Sequence, residues 1–200
     1  MPRLLHAPAS PYSAKVRMAA HHLGIALDEE VVATSEEPDA LTRANPLGKI
    51  PTLVLDDGTA VFDSRPIMAE LDRMSGGKLY PRNGERRRTA ERLEAAADGL
   101  CDALVASVYE RRMRPAEKVH TPWLDYQMRK AVRALDWLEA EAPALRGRPH
   151  GGHFALAAAL AYADLRFEAL NWRRGRPRLR RFIDRFAETV PGYEALGPRA

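Results

Sequence analysis

The spacing of apolar positions changes several times over residues 1–80. "RLLHA" (3–7) is a short apolar run that stops at Pro8, the pattern of a buried strand. From Pro11 to Leu23 the period becomes helical, with Val16, Ala19, Ala20 and Leu23 on one side. Gly24 suits the left-handed residue that closes such a helix. "ALDEEVVA" (26–33) supplies a second strand. Strand, helix and strand in succession make a βαβ unit, whose two strands must run parallel. "DALTRAN" (39–45) predicts a short, weak helix ending before Pro46. "PTLVLDDGTAVF" (51–62) holds two apolar runs around Asp57-Gly58, a strong hairpin signal. From Ser64 the pattern is helical again, with Ile67, Met68 and Leu71 inward, and Ser75-Gly76-Gly77 ends it. The predicted order is β-α-β-α-β-β-α.

Residues 80–85, with Pro81, Asn83 and Gly84, read as a linker between a first domain at 1–79 and a second at 86–200. The second domain reads as helix throughout. Leu93, Ala97, Leu100, Leu104 and Val108 follow helical spacing. Leu124, Met128, Ala131, Leu135 and Leu138 form another stripe. Phe154 to Ala163 is apolar on all sides, which places that helix at the centre of a bundle. Leu179, Phe182, Ile183, Phe186 and Val190 mark the inner face of a last helix. The fold class is α+β at the N-terminal end, followed by an all-α bundle.

Composition narrows the functional classes. At 200 residues, 46% hydrophobic and 29% charged, the chain is long enough to bury a real core. Met1 leads into "PRLLHAP" with no apolar region of signal-peptide length, and no run is long enough to span a bilayer. Cys101 is the only cysteine, so an intramolecular disulfide framework and a CxxC pair are both excluded. A reducing cytoplasm is the expected compartment. The formal charge of +4 fits either an arginine-rich proteome or an anionic partner. "RRGRPRLRR" (173–181) and "RGRP" (146–149) carry cores of the kind found in minor-groove binders. Each sits at a helix edge inside an apolar pattern, and Pro177 suits the first position of the last helix, so a solvated turn is expected rather than DNA binding.

Four features stand in order along the first half: "SPY" at Ser10, "NPLGKIP" at 45–51, the Asp-Gly hairpin, and "DSRPI" at 63–67. Together with "RPAEKVHTPWLDYQMRKAVRALDWLE" (114–139) and "ALAYADLRF" (159–167), they make the chain strongly resemble the glutathione transferase family, in its bacterial form with serine at the catalytic position. The resemblance covers essentially the whole chain. It implies a thioredoxin-like first domain and an all-helical second domain.

It also implies roles for particular residues. Ser10 would be the catalytic residue, its hydroxyl donating to the glutathione sulfur. The physical case is that a thiol is mostly protonated at neutral pH and a donor aimed at sulfur favours the thiolate. The mouth of a helix adds exposed N–H groups and the positive end of the dipole. A serine before proline at a helix start is equally an ordinary N-cap. Ser13 and Tyr12 are neighbouring competitors for the donor role, with Tyr12 expected rather to line the pocket beside the sulfur, its backbone N–H available. Serine cannot form the mixed disulfide that a cysteine there would, which favours addition over thiol exchange. The resemblance implies a cis bond before Pro51, which would present the Ile50 backbone to glutathione as an added strand. Lys49 would stand near the glycine carboxylate, or be a solvated lysine. Asp63 and Ser64 would bind the γ-glutamyl ammonium and carboxylate, with Ser64 also suited to cap its helix.

The second substrate would lie between the domains, against Tyr109, Arg112 and Met113. Val105 is expected in the core, and Arg112 and Arg114 either orient an acidic substrate or are solvated. The resemblance implies an electrophilic small molecule as that substrate, glutathione as co-substrate rather than a cofactor, and a homodimer; His150 and His153 have no third ligand in sight, so no metal is expected. One segment departs from the family: His150-Gly151-Gly152-His153 replaces the usual Ser/Thr-x-x-Asp capping box, so a weaker helix start is expected. Other glutathione-dependent chemistry (isomerisation, dehalogenation) and a non-catalytic protein-binding relative remain as alternatives.

Overall fold

A computed structural model describes residues 1–141 and 145–200. The first unit is a four-stranded sheet in the order β2-β1-β3-β4. Strands β1 (Arg3–His6) and β2 (Asp28–Val31) run parallel, joined by helix α1 (Pro11–Leu23), as the βαβ pattern requires. Strand β3 (Thr52–Val54) lies antiparallel to β1, with Leu4 opposite Leu53, and turns through Asp57-Gly58 into β4 (Ala60–Val61). Alternation along β1 splits the core. Leu4 faces the main cluster, while Leu5 joins Val32 and Leu41 in a small cluster under α2 (Asp39–Ala44). Helix α3 (Ser64–Met74) buries Ile67, Met68 and Leu71 completely, the face expected.

Gly24 closes α1 at φ 71°, donating its N–H to Ala20 and His21 carbonyls. The connection after α3 is short and anchored. Asp72 accepts the backbone N–H groups of Leu79 (2.8 Å) and Tyr80 (3.0 Å), and both residues are buried. Helix α4 (Gly84–Arg112) then runs the length of the second unit, capped by Asn83. Helices α5 (Thr121–Ala140) and α6 (Gly151–Arg166) pack against it, and α7 (Pro177–Thr189) and α8 (Tyr193–Leu196) complete the chain.

Helix α6 is the centre: Phe154 to Leu160 are all buried, and α6 contacts both α4 and α1. Its start explains the departure from the capping box. His150 occupies the N-cap position and makes no side-chain cap hydrogen bond. A Cβ on Gly152 would stand 2.6 Å from the Ala90 carbonyl oxygen and 2.9 Å from the Leu93 Cβ. A Cβ on Gly151 would stand 2.4 Å from the Tyr80 hydroxyl. The glycines let α6 press its first turn onto α4, and close approach replaces the cap. His150 stacks on His153 with ring centroids 3.8 Å apart.

The arginine-rich segment is a turn and a helix start. Arg173 pairs with Asp164, and Arg176 with Asp136 at 2.7 Å. Pro177 is the first residue of α7. The Glu139 carboxylate of α5 accepts the N–H groups of Arg178 (3.0 Å) and Leu179 (2.9 Å), capping α7 from a neighbouring helix. Among the described residues, no helix is long and apolar enough to cross a membrane.

Candidate functional site

The N-termini of α1 and α3, the loop before β3, and the inner face of α4 enclose a cavity of about 930 Å³. Ser10, Tyr12, Lys49, Ile50, Pro51, Asp63, Ser64, Tyr109 and Arg112 all line it. The structure therefore brings together nine of the ten site residues expected from sequence. Met113 is the exception: it is the C-cap residue of α4, highly exposed and outside the lining. It lies four residues beyond Tyr109, but the helix ends at Arg112, so the shared-face argument stops one residue short. Val105 lines the cavity while packing on the core.

Ser10 caps α1: its Oγ accepts the Ser13 N–H at 3.2 Å. That bond uses an oxygen lone pair and leaves the hydroxyl proton free to donate. The neighbouring hydroxyls do not compete. Ser13 is fully buried and absent from the cavity wall. Tyr12 donates its hydroxyl to Asp102 on α4. Burial, then the nearby Cys101 and Asp102, push the Tyr12 pKa well above its ordinary value, so the phenol stays neutral.

The loop before β3 is organised by buried Asn45. Its Nδ2 donates to the Lys49 carbonyl (2.9 Å) and to Thr52 Oγ1 (3.2 Å), and its Oδ1 accepts the Leu47 N–H (3.0 Å). The Ile50–Pro51 bond is cis, as the resemblance implied. Because β3 begins at Thr52, Ile50 lies outside the ladder and borders the cavity. Lys49 is exposed at the rim.

At α3 the cap differs from expectation. Asp63, not Ser64, is the N-cap, and its Oδ1 accepts the Arg65 N–H at 3.0 Å. Ser64 is already the first helical residue, and a helical residue cannot reach back over its own turn as a cap does. Ser64 is buried yet contributes to the cavity wall. The Phe62–Asp63 peptide is also cis.

The sequence reading missed the charged network behind this wall. Lys15, 1% exposed, places its ammonium 2.9 Å from Asp98 and 3.2 Å from Glu94. Tyr80 donates its hydroxyl to Glu94. Arg65 Nε lies 2.8 Å from the other Asp98 oxygen, and both Arg65 and Asp98 line the cavity. One buried lysine thus ties α1, α3 and the connection to α4. The available signal was Glu94 and Asp98, four apart beside the apolar stripe of α4, matched by a lone lysine in the inner run of α1.

Residues 9–74 match the glutathione S-transferase N-terminal domain model, and 87–185 match the C-terminal domain model. The chain belongs to the glutathione S-transferase family. Within that family it is similar to the uncharacterized GST-like protein YibF of Escherichia coli K12, at 30% identity over 94% of this chain and 98% of that one. A glutathione transferase family member from Pseudomonas fluorescens Pf-5, solved with bound glutathione, is 37% identical, covers all of both chains, and superposes with a TM-score of 0.92. A glutathione S-transferase from Methylobacterium radiotolerans, solved with glutathione sulfonate, is 32% identical with a TM-score of 0.88, over all of this chain and 95% of that one. The four-stranded first unit and helical second unit of this family member are the family's fold.

Proposed function

We propose that this protein is a glutathione transferase that conjugates the glutathione thiolate to small electrophiles. The observation that carries the reading is the Ser10 hydroxyl, which accepts a hydrogen bond from its own helix and keeps a proton to donate into the cavity. Glutathione bound in one relative and glutathione sulfonate in another support the choice of thiol.

Each part of glutathione has a counterpart in the wall. The cysteinyl backbone pairs with Ile50 beside the cis bond. The γ-glutamyl carboxylate takes the α3 N-terminus and Ser64, where N–H groups and a hydroxyl converge. Its ammonium meets the oxygen of Asp63 that does not cap the helix, while Asp98 nearby is already paired with Lys15 and Arg65. Lys49 stands at the rim for the glycine carboxylate. The thiol proton passes to solvent, and Ser10 donates to the resulting anion at the positive end of α1. The sulfur then attacks an electrophilic carbon. The S–C bond forms as the bond to the leaving group breaks, and that group departs with its electron pair.

By family likeness the protein acts as a cytoplasmic homodimer; sedimentation at micromolar concentration checks the dimer, and a purely monomeric species contradicts it. For the reaction itself, calorimetric titration with glutathione is combined with initial rates on 1-chloro-2,4-dinitrobenzene. Binding with turnover, reduced at least tenfold in kcat/KM by Ser10→Ala, is expected. Binding without turnover of any electrophile tried makes the protein a glutathione-binding module, and absence of binding overturns the reading.

A further inference from the structure

The end of the cavity away from Ser10 is lined by α4 and α6 and is basic. Arg112 and Arg166 both border it. Most arginines near this region are committed to partners: Arg65 to Asp98, Arg114 to Glu110 at 2.8 Å, Arg173 to Asp164. Arg112 and Arg166 make no ion pair or hydrogen bond among the described residues. Arg114, the other arginine expected to meet a substrate, is outside the lining and paired.

Tyr162, which is 5% exposed, forms part of the same cavity wall as these two arginines. Its hydroxyl also has no hydrogen-bond partner among the described residues. Although the ring is buried, the hydroxyl is not among the buried unpartnered atoms, so it is open to the cavity and available to a ligand atom. Arg112, Arg166 and Tyr109 all lie within electrostatic reach of that hydroxyl. Burial raises the Tyr162 pKa while the two arginines lower it, so the phenol remains a neutral donor. Three donors, two of them cationic, thus share this cavity wall without an acceptor among the described residues. Tyr109, Val105 and Val108 supply an apolar wall beside it.

We propose that this end of the cavity recognises an anionic electrophile, one carrying a carboxylate held by Arg112, Arg166 and the Tyr162 hydroxyl. This inference rests on glutathione occupying the other end. Two guanidinium groups suit the planar, two-oxygen face of a carboxylate, and a buried tyrosine adds a directional bond. Opposite polarity at the two ends also orients the pair of substrates. Asp63 and Asp102 carry the negative charge of the remaining wall, since Asp98 is paired with Lys15 and Arg65, and this favours placing the electrophile's carboxylate beside Arg112 and Arg166.

The test uses binding, so that it does not depend on turnover. Titration calorimetry compares glutathione, S-(4-carboxybenzyl)glutathione and its isosteric amide, S-(4-carbamoylbenzyl)glutathione, on the wild type and on Arg112→Gln/Arg166→Gln. The acid is expected to bind roughly tenfold tighter than the amide, with the advantage falling as salt rises and vanishing in the double variant. Tyr162→Phe should remove part of the advantage. Glutathione itself should bind all forms alike, which also reports that the variants are folded. If acid and amide bind equally, or the double variant keeps the preference, the inference is wrong while the transferase reading stands. If glutathione does not bind the wild type, both fall.

Discussion

Replacing Gly152 by alanine isolates the contact on which the central helix depends. In an ordinary helix the change is favourable, because glycine costs about 0.8–1.0 kcal/mol relative to alanine. Here the added Cβ lies 2.6 Å from the Ala90 carbonyl oxygen, 2.9 Å from the Leu93 Cβ and 3.1 Å from the Glu94 nitrogen. Two of these three atoms are backbone, so no side chain can rotate away. Helices α4 and α6 must separate by several tenths of an ångström, and overpacking of this kind costs roughly 1–3 kcal/mol. A 2.6 Å approach to a fixed backbone oxygen belongs in the upper half of that range, about 2–3 kcal/mol, so subtracting the propensity gain leaves a net loss of about 1–2 kcal/mol. For a chain of this size that lowers Tm by about 2–8 °C. The control is Gly99→Ala, on the exposed side of α4, where an added Cβ meets nothing within 4 Å. That variant should gain up to about 1 kcal/mol and raise Tm. Circular dichroism melting of the two variants and the wild type decides the matter. If Gly152→Ala melts at or above the wild type while Gly99→Ala rises as expected, the close-approach explanation is wrong.

Three other outcomes follow from the same structure. Asp98→Ala leaves Lys15 buried with Glu94 alone and releases Arg65, so urea denaturation should show a loss of roughly 3 kcal/mol, with weaker glutathione binding; an unchanged midpoint would show that the network contributes nothing. Burial, then the neighbouring His153, lowers the His150 pKa from 6.5 to about 3. The unfolded chain therefore takes up a proton that the folded chain refuses, so this contribution is complete above about pH 6.5 and is lost as pH falls toward 3. Stability at pH 5 should be lower than at pH 7 by roughly 1–2 kcal/mol from this group, and the pH slope should flatten in His150→Asn; a slope identical to wild type contradicts the assignment. Cys101 is 2% exposed, and burial raises its pKa well above the ordinary thiol range. It should stay unreactive toward a disulfide reagent in the native protein and react fully in urea; rapid native labelling would contradict its place in the core.

Much of this was legible in the chain because the signals are local. The βαβ unit follows from periodicity between Arg3 and Val31, and the hairpin follows from Asp57-Gly58. Ser10 was legible as a cap from its place before Pro11. Its catalytic candidacy rested on motif order, and the geometry makes the two roles compatible, since capping uses the oxygen and leaves the proton. The cis state of Ile50–Pro51 was accessible only through resemblance, because nothing in the residues themselves fixes it. What escaped the reading is non-local. The partners of Lys15 lie on α4, and Arg166 reaches the cavity from a helix whose place depends on the packing of the whole bundle. Tyr12 was expected to line the pocket, and it does, but its hydroxyl is taken by Asp102, ninety residues away. The two glycines at 151 and 152 looked like a defect in a helix start. Only the position of α4 shows them as the space through which α6 reaches the core.

The central claim is that Ser10 holds glutathione as a thiolate, and the ionisation of the bound thiol tests it most directly. Thiolate absorbance near 240 nm is titrated with pH in the glutathione complexes of wild type, Ser10→Ala and Ser10→Thr. An ordinary thiol ionises near pH 8.5, and a hydroxyl donor with a helix N-terminus should lower the bound value by about 1–2 units. The account predicts this lowering in wild type, its loss in Ser10→Ala, and at least partial return in Ser10→Thr, with all three proteins folded. The same bound-thiol pKa in wild type and Ser10→Ala would contradict it and leave Ser10 as a helix cap alone.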